Sequence, residues 1–417
     1  MGELEKYFAQ TYLEQSSEIG EKFPLWFNSM RRSSADYLSL IDTPAKKDYL
    51  SDLSELITLG KASQNVQLQE VDFPFDSVRL SMTNGVIDPS LTDCDNNLVY
   101  GALSVACVDY ESEVKAYFNS VSEDKSNYIS ALTSAFMREG AFILVKKDAK
   151  IEKPIVIDNF YTNSNENNFA RTLIIVESGA EVDIIVRHFI AGGFSAHTRE
   201  LIVNEGAKVN LTEYVDSCSD GVLMQSNHSS QKQESENNVV FINSGAKYLS
   251  LDYSVQLLEK QANSTIKGLY LVGENQKSVV NVNMNHLEID CKSDELIKGL
   301  AAKNGIGSFA GRIYVAPKAQ RTSASQQSRN IMLSEKAKIY TKPQLEIYAD
   351  DVKCNHGATI GQMNDEAIYY MRQRGISELD ARKLQLSGFV NDIVSNIKQE
   401  ELAAYFYQNI AVKIDEL

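Results

Sequence analysis

Between Ala141 and Tyr348, apolar and polar residues alternate with a period of two in one short stretch after another. Examples are Leu173 and Ile175, then Val182, Ile184 and Val186; Leu201 and Val203, then Val209 and Leu211. Successive side chains of a strand point to opposite faces, so this pattern buries one face of each segment and argues against helix across the tract. A weak repeat joins the segments, an apolar strand pair around a small-residue turn: IIVESGAEVDI, LIVNEGAKVNL, VFINSGAKYLSL and, more loosely, IMLSEKAKIYT. The alanines stand at 180, 207, 246 and 337, and the first three are 27 and 39 residues apart. That spacing is irregular for a propeller blade but acceptable for coils of a β-helix with unequal loops. An antiparallel sandwich would bury its strands in the same way, so periodicity leaves both architectures open.

The flanks read differently. From Leu4 to Leu59, apolar residues recur at helical spacing (Leu4, Phe8, Tyr12; Leu50, Leu53, Ile57), punctuated by Pro24 and Pro44. Residues 65–100 carry short extended stretches such as Ser77–Met82, then the turn signal Asn84-Gly85, and Ser126–Arg138 reads as one isolated helix. After Gly361 the helical period returns. Asn364 can cap a short helix ending near Gly375, and Ser377 with Asp380 resembles a capping box opening a second, with Leu384, Phe389, Ile393 and Ile397 on its apolar face. A final helix is expected near Glu400–Ile410. The chain is therefore read as mainly β with helical ends, divided at 1–140, 141–360 and 361–417. The polar tracts Tyr161–Asn168 and Ser229–Asn238 are expected to be solvated excursions from the strands.

A chain of 417 residues can bury a sizeable core without disulfides. Its formal charge of -15, from 41 basic and 56 acidic side chains, argues against a phosphate-backbone binder, so no nucleic acid is expected as a partner. Cys94, Cys107, Cys218, Cys291 and Cys354 form no CxxC pair and no finger spacing, which fits reduced thiols and a cytoplasmic location. The amphipathic, acidic start lacks a signal peptide's features, and no run approaches a membrane span. Lys298–Lys342 holds nine basic residues against the single acid Glu335. That stretch is either a docking surface for an acidic protein or ordinary solvated strand faces and loops.

No GxxxxGK[ST] is present, and Asn304–Gly311 (NGIGSFAG) fails the dinucleotide fingerprint, so any nucleotide hydrolysis has to come from a partner. Neither GxSxG nor HExxH occurs. The chemistry that can be read is at Cys354 and His356, in DDVKCNHGATIG at the strand-to-helix transition. In a strand, residues two apart share a face, so a thiolate and an imidazole can address one metal or cluster, leaving room for ligands from a second chain. The competing reading is a buried structural cysteine and a histidine bonded to backbone. Asp350-Asp351 either supplements the site or caps a turn. His188 and His197 flank Gly192-Gly193, where a hairpin would bring them together, but separate surface or core positions are the commoner arrangement for such a pair. The C-terminal helices offer Tyr369, Tyr370, Arg374 and Phe389 to a partner, or pack back on the strands.

The segment PQLEIYADDVKCNHGATIGQMNDEAIYYMRQRGI, followed by ARKLQLSGFVNDIV, resembles the C-terminal signature of the SufB/SufD family of iron-sulfur cluster assembly proteins. CNHGAT, in place of a glutamate-containing counterpart, places the likeness on the SufD side. The resemblance extends from about Gly311 to Val394 and fits the strand repeats around Gly179, Gly206 and Gly245 more loosely. The first 140 residues match in character only: Thr43–Leu53 (TPAKKDYLSDL) lacks the tryptophan of the motif usual there. The resemblance implies a right-handed parallel β-helix between helical ends and a non-enzymatic scaffold. The implied partners are a SufB homologue, through β-helix surfaces, and a SufC ATPase homologue, through the C-terminal helices; a homodimer is the alternative for the isolated chain. It further implies that His356 faces the SufB–SufD interface, where iron or a nascent iron-sulfur cluster sits transiently, with Cys354 beside it in a less defined role. Two other readings stand: an architectural clamp for SufC without metal ligation, and a β-helix enzyme acting on acidic polysaccharide.

Overall fold

The computed structural model describes residues 3–38, 40, 51, 53–62, 73–94, 96–122, 127–162, 167–217 and 221–416. Cys218 and most of Thr43–Leu53 lie outside these residues. Helices α1 (Glu3–Gly20), α2 (Leu25–Leu38) and α3 (Leu53–Ala62) come first, followed by β1 (Val78–Thr83), β2 (Leu91–Cys94) and β3 (Leu98–Ala102). Three short helices follow: α4 (Leu103–Asp109), α5 (Glu111–Tyr117) and α6 (Tyr128–Phe136). A long run of strands then begins: β4 (Gly140–Val145), β5 (Ile155–Tyr161), β6 (Asn167–Val176), β7 (Glu181–Ile190), β8 (Phe194–Val203), β9 (Lys208–Ser217), β10 (Val222–Gln231) and β11 (Glu236–Ser244). It continues through β12 (Tyr248–Leu257), β13 (Asn263–Val272), β14 (Lys277–His286), β15 (Lys292–Ala301), β16 (Ile306–Val315), β17 (Ser323–Met332), β18 (Lys338–Ile347) and β19 (Lys353–Gly361). Helices α7 (Asp365–Gln373), α8 (Glu378–Val394) and α9 (Glu400–Glu416) close the chain.

The strands resolve the choice left open by periodicity in favour of a parallel β-solenoid. Odd-numbered strands form one sheet in the order β1-β5-β7-β9-β11-β13-β15-β17-β19, and even-numbered ones run from β18 back to β4 in the other, ending in β3 and β2. Every described pairing from β4 onward is parallel; only β2–β3 and β3–β4 are antiparallel. Parallel neighbours need a crossover, and here the crossover is itself a strand of the opposite sheet. Glu181 pairs with Lys208, Lys208 with Glu236 and Glu236 with Asn263, so these coils take 27 or 28 residues. Asn263 pairs with Lys292, Lys292 with Ser323 and Ser323 with Lys353, so the later ones take 29 to 31.

This geometry explains the uneven repeat. Gly179 and Gly206 occupy the same corner one coil apart, with φ of 71° and 65°. Glu234, Gln261, Asp290 and Arg321 take the same left-handed conformation there in later coils. VFINSGAKYLSL belongs to the opposite corner, which is why its alanine falls out of step. Only the backbone conformation is demanded at each coil, so the sequence motif fades while the structure repeats.

Alternate residues stack inward to form one core: Val182, Ile184 and Val186, then Val209 and Leu211, then Val239 and Phe241, facing Ile174, Val176, Leu201 and Val203 from the other sheet. Each such side chain, fully buried, contributes about 1.5–3 kcal/mol. Gly268 makes room for a neighbouring ring: a Cβ there would meet Phe241 at 2.0 Å. The outer faces are covered by the chain ends. Phe8, Leu38, Leu53 and Leu56 join Phe136 of α6 over Phe194, Met224 and Tyr248. Leu386, Val390, Ile393, Phe406 and Ile410 of α8 and α9 lie over Val156, Ile185, Val240 and Leu269. No helix among the described residues is long and apolar enough to cross a membrane.

Three expectations are corrected. Ser229–Asn238 is no excursion: it ends β10 and opens β11, and Ser229, Gln231 and Asn237 are buried, because the interior here is polar. In Tyr161–Asn168, Tyr161 ends β5 and Asn167 opens β6, while residues 163–166 lie outside the described set. The helix expected over Ser126–Arg138 is not isolated: α4 and α5 precede it, and their Leu103, Ala106, Cys107 and Val114 pack on Phe142 and Leu173.

Candidate functional site

β19 is the last strand of its sheet, and among the described residues no further strand pairs with its far edge. Its register on β17 sets Cys354 against Ala324 and His356 against Gln326. Ala324 and Gln326 are buried interior residues, so the interior row of the solenoid continues through Cys354 and His356. In earlier coils that row is roofed by the next turn; here it is open. Cys354 is half-buried against the core, and burial raises its thiol pKa. His356 is exposed. The two share a face, as their spacing requires. Among the described residues, no three His, Cys, Asp or Glu side chains converge as a set that could hold a metal ion. Thiolate and imidazole suit iron and sulfide, and two ligands leave the remaining positions to another molecule.

Asp350 and Asp351 occupy the turn into β19. The Asp351 amide donates to Gln320 Oε1 at 2.9 Å, and its carbonyl accepts from the Arg321 amide at 2.6 Å. The basic stretch Lys298–Lys342 is dispersed by the coiling, and several of its members are paired. Arg312 binds Glu346 and Arg321 binds Asp290, both at 2.6 Å, while Lys318 pairs with Glu288. Lys298 is buried and donates to the Phe389 carbonyl at 2.8 Å, with its ammonium also paired to Asp392.

His188 and His197 do come together, though not through a hairpin. They sit on β7 and β8, in opposite sheets, and meet across the interior with ring centroids 5.4 Å apart. His188 Nε2 lies 3.1 Å from Glu213 Oε1, Arg199 Nη2 donates to Glu213 Oε2 at 2.8 Å, and Tyr253 donates to that oxygen as well. Burial lowers the pKa of both histidines. Burial also pushes Glu213 upward, but Arg199 and His188 outweigh it and hold the carboxyl well below its usual range. Sequence reading missed Arg199, Glu213 and Gln225, whose side-chain amide donates to Glu213 Oε1 at 2.5 Å. A signal was available at Glu213, which shares its parity on β9 with the apolar Val209, Leu211 and Val215; Arg199 and Gln225 share theirs with polar His197 and Asn227 and do not stand out.

On the C-terminal helices, Tyr369 and Tyr370 are 64% and 56% exposed, and Leu379 and Leu384 are exposed as well. Arg374 stacks on Tyr370, its guanidinium carbon 4.6 Å from the ring centroid. Phe389 instead turns toward the sheet, half-buried beneath the Lys298 ammonium at 4.2 Å. Asn364 and Ser377 cap α7 and α8, accepting from Ala367 and Asp380 amides.

The model of the SUF-system FeS cluster assembly SufBD core domain matches residues 159–389, from within β5 to within α8, including Cys354 and His356. An iron-sulfur cluster assembly SufBD family protein of Synechocystis is 26% identical over 97% of this chain and 94% of its own length. The iron-sulfur cluster assembly protein SufD of Escherichia coli is 26% identical over 84% of this chain and 82% of its own. A SufBD family protein of Pyropia yezoensis is 23% identical over 90% and 81%. With more than half its length matched by the core-domain model and relatives aligned along nearly all of it, the chain belongs to the SufBD family of iron-sulfur cluster assembly proteins.

Proposed function

We propose that the chain is a non-enzymatic, SufD-like scaffold subunit working in the cytoplasm. It pairs its open solenoid end with a SufB-type subunit, and its C-terminal helices carry a SufC-type ATPase. Iron or a nascent cluster is cargo at the subunit interface, with His356 as ligand or entry group and Cys354 beside it. The observation that carries this reading is the unroofed interior row at β19, where a soft and a borderline ligand share one face of a strand whose far edge is paired to no other strand among the described residues. A free edge recruits another strand, and a two-ligand site gains its missing ligands from the same partner. The exposed Tyr369, Tyr370, Leu379 and Leu384 support a helical contact for the ATPase, whose nucleotide cycle would open and close the interface.

The half-buried Cys354, with its raised thiol pKa, favours a second reading in which it packs structurally and the chain acts only as a clamp. The two separate on His356→Ala in the purified complex. The scaffold reading expects loss of cluster assembly with the complex intact; normal cluster yield would refute the ligand role.

A further inference from the structure

Beneath the half-site the solenoid interior holds a carboxyl that makes no ion pair among the described residues. The registers of β15, β17 and β19 place Glu295, Gln326 and His356 on one interior row, each level with the next. Glu295 and Gln326 are fully buried, and Gln326 Nε2 donates to Glu295 Oε2 at 2.8 Å. The other oxygen of each, Glu295 Oε1 and Gln326 Oε1, has no hydrogen-bond partner. Below Glu295 the row continues with Ile266, and across the interior Gly311 leaves space for the amide: a Cβ there would stand 2.3 Å from Gln326 Nε2. Asp294 and Lys267 are the charged groups acting on Glu295, and they pair with each other. A carboxyl so enclosed is held as the neutral acid; burial pushes it up to about 8.

We propose that Glu295, acting through Gln326, is the positioning and charge-compensating residue of the His356 half-site. It stays protonated while the site is empty and ionises when a divalent metal ion arrives. This rests on the half-site reading above. The proton leaves to solvent at the uncovered end, and the carboxylate left behind offsets part of the incoming charge. Two strand spacings separate the rungs, roughly 10 Å. A divalent cation at that distance favours the ionised acid on the order of 100-fold at an effective dielectric near ~20.

The test uses the full-length chain purified with its co-expressed partners, and the isosteric variant Glu295→Gln. Infrared titration without metal should find one buried protonated carboxyl at pH 7 that is absent in E295Q; failure to find it overturns the proposal whatever metal does. Anaerobic Fe(II) titration in weak buffer at pH 7 should release up to one more proton per bound ion from the wild type than from E295Q. The wild type's Fe(II) affinity should also rise with pH more steeply, by up to tenfold per pH unit. Equal proton release and equal pH slopes in two folded proteins would overturn the charge-compensating role. Fe(II) binding unchanged by His356→Ala would instead overturn the half-site reading, and the coupling with it, while leaving the infrared result standing.

Discussion

Replacing Asp392 with Asn should loosen the C-terminal helices more than replacing Lys298 with Met, although the two residues form one ion pair. The asymmetry comes from burial: the Lys298 side chain is 2% exposed and the Asp392 side chain 52%. Removing the lysine lets Asp392 return to water, and a methionine fills the vacated channel over Phe389. The loss of charge-assisted bonds is then largely offset by the desolvation no longer incurred, leaving about 1 kcal/mol. Removing the carboxylate leaves an ammonium in the sheet–helix interface with the Phe389 carbonyl and ring as its remaining partners. Stranding a buried charge costs about 3–5 kcal/mol, and these partners reduce it to about 2–3. Burial already lowers the Lys298 pKa, and Asp392 opposes that shift. Without Asp392 the folded chain binds this proton more weakly than the open chain does, so stability rises with pH and the D392N deficit shrinks as pH approaches 10. Hydrogen exchange on peptides spanning residues 378–394 reads the opening free energy of this module directly. A K298M deficit equal to or larger than that of D392N, or a D392N deficit constant from neutral to alkaline pH, would refute the reasoning.

Gly268→Ala should destabilise by about 2–4 kcal/mol in urea unfolding, since the added Cβ lies 2.0 Å from Phe241 and a packed core relaxes poorly; Phe241→Leu in the same chain should recover part of the loss. Glu295→Gln should gain stability over the wild type as pH rises. The folded-state pKa of about 8 lies above the open-chain value, so the stability contributed by Glu295 is complete below about pH 4.5 and is lost as pH climbs through 8. The difference between pH 5 and 9 should reach roughly 3–5 kcal/mol, and a flat difference would refute the buried-acid assignment.

The sequence by itself determined that the middle of this chain is strand, that both ends are helical, where α7 and α8 are capped, and that Cys354 and His356 share a face. These follow from local rules: side-chain direction alternates along a strand, and a cap satisfies its own helix end within three residues. It also carried the family likeness around Cys354–His356, which the core-domain match extends back to residue 159. Only the tertiary structure decided between sandwich and solenoid, because both bury one face of each strand and differ in which strands become neighbours. The same holds for everything that depends on coil register. The basic residues of 298–342 separate onto different faces, Arg199 reaches Glu213 within the interior, and Glu295 comes to lie two rungs beneath His356. Where such contacts bridge neighbouring coils they join residues 25 or more positions apart, and a corner that demands only a left-handed backbone leaves little trace of that spacing in the side chains.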